Sequence, residues 1–197
     1  MKIEVRADGL HISGYVNVTG KKSRPVITPH GKCIEVIEER AFEKAIERSG
    51  DVTVSVDHDM SHIYASTRKN TLSLYEDNIG LHADVLITDP DLIEIAKKGK
   101  IRGWSFGMRN IVDTIEQRAD DIPIRHISEL DLDHIALVVK KTPCYAATSV
   151  EVRADDSEST LECRAFNTKV DLTITEPPAR VDYSSYENRI NALKNVR

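Results

Sequence analysis

Three residues in this chain have the types and surroundings needed for nucleophilic chemistry. Ser105 lies in Gly103-Trp104-Ser105-Phe106-Gly107. In an extended segment, Gly103, Ser105 and Gly107 share one face, while Arg102, Trp104, Phe106 and Met108 share the other. A hydroxyl flanked by two glycines leaves space for a base and a scissile carbonyl, and the large side chains opposite would anchor the strand in a core. A closely packed strand without chemistry leaves the same trace, and for an arbitrary GxSxG that is the commoner meaning. His58 ends the alternating run DVTVSVDHD, which places it on the face of Val52, Val54 and Val56. His134, in LDLDHIALV, is expected on one face with Leu130, Leu132, Ala136 and Val138, with Asp131 and Asp133 on the other. Each histidine alone reads as an ordinary core-edge residue. An imidazole on an apolar face needs a polar partner, and these two can serve each other. His58 would then take the Ser105 proton, and His134 would orient His58 and stabilise the imidazolium.

Other chemistries fit less well. GxSxG is also the pattern of a nucleophile elbow, which requires a strand before the serine, a helix after it, and an acid and a histidine downstream. Here a helix precedes and NIVDTIEQ reads as a strand, so the elbow is rejected. Asp57, His58, Asp59 and His62, with His82 nearby, carry metal-compatible groups. HxxxH spacing chelates on a helix, whereas the alternation here predicts a strand, so no metal and no cofactor are expected. A non-enzymatic scaffold or assembly protein is the third class.

The elements that must position these residues can be read from periodicity. The 197 residues suffice for one domain with an appendage, 40% are hydrophobic and 30% charged, and the net charge of −5 argues against a nucleic-acid partner. No apolar run approaches a membrane span, the start lacks a signal-peptide block, and three dispersed cysteines suggest neither disulfides nor a zinc ribbon. Residues 2–18 read as two strands broken at Asp8-Gly9. A loop with Gly20, Pro25, Pro29 and Gly31 follows, then a short helix with Phe42, Ala45 and Ile46 inward and Gly50 as its stop. Strands are expected at 52–58, 71–76 and 80–87. A second helix opens at Asp89-Pro90-Asp91 and closes at Gly99. IRGWSFGM, NIVDTIEQ, IRHISEL and LDHIALVVK are extended again.

Across roughly residues 10 to 150, the order and spacing of these features resemble the tailed-phage prohead proteases, the capsid-maturation serine protease family. The resemblance rests on Asp57-His58-Asp59, then Gly103-Trp104-Ser105-Phe106-Gly107, then Arg125-His126-Ile127 and Leu132 to Val139. Where that family commonly has a glutamate in the last strand, this chain has His134. The herpesvirus capsid-maturation protease (assemblin), which is similar in fold, uses a second histidine there.

The resemblance implies a mostly β, α+β domain, barrel-like, with flanking helices, over residues 1–152. It implies a serine endopeptidase with a Ser105-His58-His134 triad, or with a nearby acid as third member. Lys140 and Lys141 stand where the herpesvirus enzymes place the arginines of their oxyanion hole. The implied partner is the major capsid protein with its scaffolding segment, the chain itself being a second substrate. The implied location is the assembling prohead in the host cytoplasm, with a homodimer as the expected assembly. By composition, 153–182 is expected to be a flexible linker and 183–197 a short amphipathic helix bearing Tyr186, Ile190 and Leu193.

Overall fold

The computed structural model describes residues 1–28, 31–119, 121–140, 162–167 and 169–175, the side chains of 162–167 excepted. The chain turns at Ala7-Asp8, one residue before the expected Asp8-Gly9, between β1 (Lys2–Arg6) and β2 (Gly9–Val18). The stretch read as a loop carries a hairpin instead, β3 (Val26–Thr28) and β4 (Gly31–Ile37). Helix α1 (Ala41–Arg48) follows, with Ala41, Phe42 and Ala45 buried. It has no side-chain cap of its own; the Glu76 carboxylate accepts from the Arg40 and Glu43 amides and does that work. Next come β5 (Thr53–Val56), β6 (Ala65–Ser66), β7 (Leu72–Glu76) and β8 (Gly80–Ile87). Helix α2 (Pro90–Lys97) is capped by Asp89, which accepts from Leu92 N at 2.9 Å.

The four extended segments that follow merge into two long strands, β9 (Gly103–Glu116) and β10 (Ile124–Val138), paired antiparallel. Two strands, β11 (Glu162–Asn167) and β12 (Asp171–Ile174), fall in the stretch that composition read as linker. Each is only four to six residues long at a sheet edge, and the period-two run Val170, Leu172, Ile174 is too short to stand out from the polar stretch around it. The remainder of that stretch, and the expected helix over 183–197, lie outside the described residues.

The strands form two sheets, ordered β12-β1-β2-β8-β7 and β11-β9-β10-β4-β3, with β5 and β6 continuing the second beside β10. One core joins them. Leu10, Ile12, Leu81 and Ile87 from the first sheet meet Trp104, Phe106, Met108, Ile135 and Leu137 from the second. Phe42 of α1 meets Phe106 edge-on at 5.3 Å. The fold is mostly β with two helices among the described residues, as the sequence suggested. At its centre is β10, which runs parallel to β4 over Ile124–Ile127 and to β5 over His134–Leu137. The end of β5 and the start of β9 therefore flank the same stretch of β10, His134–Leu137.

Candidate active site

Ser105 reaches the site by unbroken alternation. Trp104, Phe106 and Met108 are buried in the core, so Ser105 and Gly107 face the other side of β9. On β10, Ala136 lies opposite Ser105 and His134 opposite Gly107.

His134 arrives there by a break in the alternation. Leu132 pairs with Met108 and His134 with the next residue, Gly107, so one extra residue, Asp133, is accommodated on β10. A bulge of this kind exchanges the two faces of a strand. Leu130 and Leu132 point into the core before it, Ile135 and Leu137 after it, and His134 is turned to the Ser105 side. The expected common face of His134 with Leu130 and Leu132 is therefore corrected. The end of α1 holds the bulged stretch, with Arg48 Nη2 donating to Leu130 O at 3.0 Å and Ser49 Oγ to Leu132 O at 3.3 Å.

His58 is displaced from its expected face in a different way. Strand β5 stops at Val56, and Asp57 and His58 take φ values of 51° and 64°. Two successive left-handed residues swing the His58 ring away from the Val52–Val54 side and over Ser105. Asp57 fastens this turn. Its amide donates to Leu137 O at 2.9 Å, and its carboxylate accepts from Val139 N and Lys140 N at 2.9 Å each. Asp is among the residues that tolerate the left-handed region best.

The result is a continuous chain of hydrogen bonds. Ser105 Oγ lies 2.7 Å from His58 Nε2, and His58 Nδ1 lies 2.7 Å from His134 Nε2. The chain does not end there, since His134 Nδ1 is 3.0 Å from Asp133 Oδ2 and Asp133 is paired with Arg109. Ser105 and His134 are buried, and His58 keeps partial exposure. Burial first, then the positive charge of Arg109, pushes the His134 pKa down to about 4, so this ring is neutral near pH 7. Gly107 makes its place possible. A Cβ there would stand 2.4 Å from His134 Cε1 and 2.8 Å from Nδ1. Of the space read from sequence over the two glycines, the part at Gly107 is taken by the His134 ring.

The other candidate residues are placed elsewhere. Glu129 pairs with Lys44 and Arg48, and Asp131 with Arg48 and Asn110, so neither acid addresses His58. The Lys140 amide is occupied by Asp57 and not directed at an oxyanion, and Lys141 lies outside the described residues. The residues of the metal reading are dispersed. Asp59 accepts from Ser61, His62 stacks on Tyr64 beside Asp89, and His82 sits in the other sheet between Tyr15 and Tyr75. Sequence reasoning missed Asp133 and the anchoring role of Asp57. Alternation kept Asp133 off the apolar face but put His134 on it, and only the bulge brings the two side chains together.

A hydroxyl, an imidazole and a second imidazole in hydrogen-bonded series, on a mostly β scaffold, form the kind of site that serves acyl transfer by a serine. Residues 1–162 match the family described as Caudovirus prohead serine protease, and the chain belongs to that family. No curated protein and no solved structure matches it.

Proposed function

We propose that this protein is the endopeptidase of capsid maturation, with Ser105 as nucleophile, His58 as general base and acid, and His134 as the third member. The hydrogen-bond series at 2.7 and 2.7 Å carries this reading. Ser105 Oγ attacks the scissile carbonyl as its proton passes to His58 Nε2. The proton then goes to the leaving amine, giving an acyl-enzyme. Water, deprotonated by the same nitrogen, releases the acyl group and restores Ser105. His134, being neutral, accepts from His58 Nδ1–H and steadies the imidazolium without taking its proton.

The family supports a capsid-protein substrate met inside the prohead. We take the scaffolding segment of the major capsid protein as that substrate, and the protease's own chain as a second. Co-expression with the capsid protein, followed by mass-spectrometric mapping of new termini, tests this. New termini between scaffold and shell domains, and within the protease's own chain, are expected. An uncut capsid protein beside a folded protease would overturn the substrate assignment.

A further inference from the structure

A neutral imidazole has two tautomers, and a chain of two such rings can point either way. In one direction His58 Nε2 offers Ser105 a lone pair. In the other it offers a proton, and catalysis stops. The far end of the chain decides between them. Asp133 Oδ2 accepts from His134 Nδ1 at 3.0 Å, while Oδ1 of the same carboxylate meets the Arg109 guanidinium. A carboxylate facing a guanidinium is ionised and can only accept, so the His134 proton sits on Nδ1. Its Nε2 must then accept from His58 Nδ1–H, 2.7 Å away, which leaves the His58 Nε2 lone pair facing Ser105 Oγ at 2.7 Å. The site supplies the conditions for such control: His134 is fully buried, its ring packs directly against Gly107, and the Asp133 side chain is only 16% exposed. We propose that Asp133, gripped by Arg109, is a positioning residue that sets the tautomers of both histidines and so keeps a proton acceptor before Ser105. This rests on the reading of Ser105 and His58 as nucleophile and base.

The proposal predicts an inverted order of damage. Asp133→Asn keeps the shape of the side chain. Because Arg109 retains the oxygen, the amide nitrogen would face His134 Nδ1 as a donor. Both rings would then reverse, as when a triad aspartate becomes asparagine, a change costing about 10⁴-fold through the wrong tautomer. Asp133→Ala imposes no tautomer and leaves the productive one accessible. We expect kcat/KM on purified capsid protein to fall roughly 10³–10⁴-fold for Asp133→Asn and only about 10–10²-fold for Asp133→Ala. In Asp133→Asn/Arg109→Ala the amide is free to turn, and activity should recover at least about tenfold. A packing role predicts the opposite order, since asparagine is isosteric and alanine leaves a gap. The ring ¹⁵N shifts of histidine-labelled protein give a readout independent of turnover. Nδ1–H tautomers are expected at both positions in the native chain and in Ser105→Ala, with Nε2–H in Asp133→Asn. An Asn variant as active as the Ala variant, or one with unchanged tautomers, overturns the proposal. Cleavage by a folded Ser105→Ala protein would instead remove the nucleophile reading beneath it.

Discussion

At the residue scale, Gly107 and His134 are one feature. The ring fills the space over the glycine, and any side chain at position 107 meets it at less than contact distance. Gly107→Ala should therefore cost about 1–3 kcal/mol in folding by overpacking. Activity should fall further than that loss accounts for, because the ring that must move is the one bonded to His58. A urea titration and a cleavage assay on the same preparation separate the two effects. His134 also makes an acid-side prediction. Its pKa is 6.5 when unperturbed and about 4 in the fold, so between these values the unfolded chain binds the extra proton. Stability is then complete above about pH 6.5 and lost as pH falls through about 4, by on the order of 3 kcal/mol from this group. His134→Phe should flatten that part of the stability-versus-pH curve. An unchanged slope would show that His134 is not the group responsible.

At the element scale, the site exists because two strands depart from the pattern that made them legible. Alternation in GWSFGM located Ser105 and its buried neighbours correctly, since β9 is regular from Gly103 to Met108. It located the histidines by neighbourhood and not by face. Val52–Val56 predicts a strand but says nothing of the left-handed pair that follows. Likewise LDLDHIALV carries no residue that marks a bulge at Asp133. Breaks in period are set by what the neighbouring strands and α1 require, and one strand's sequence does not record that. The hairpin β3–β4 escaped for a similar reason, its glycine and prolines reading as loop. The Asp57 turn can be tested directly. Asp57→Ala removes the acceptor of the Val139 and Lys140 amides. It should cost about 1–3 kcal/mol and lower kcat by more than KM changes, because what is unmoored is the base His58. Asp57→Asn, which accepts one of those bonds and suits the left-handed region, should fall between alanine and the native chain.

At the scale of the whole molecule, the two sheets share one core, and β10 is the member that reaches from end to end. Its first half is fixed by charge. Arg125 is buried between Glu35 of β4 and Asp113 of β9 and bonds to both. A buried guanidinium with two carboxylates sets register, because a slip by one residue would strand all three charges. Arg125→Ala should destabilise the fold by about 3–5 kcal/mol, seen as a lower urea midpoint. Nine residues further along the strand, roughly 25–30 Å away, the site itself should be spared, and the folded fraction should keep its turnover number.

The most direct test of the central claim is the rate at which purified Ser105→Ala and native protein, matched by melting temperature, cleave the capsid protein. Replacing a hydroxyl by hydrogen beside Gly107 and Ala136 removes little packing, so the variant should fold. Turnover should fall by on the order of 10⁶, to below detection, with His58→Ala close behind and His134→Ala down by about 10⁴. A folded Ser105→Ala protein that still cuts at the native site would contradict the assignment of Ser105 as nucleophile.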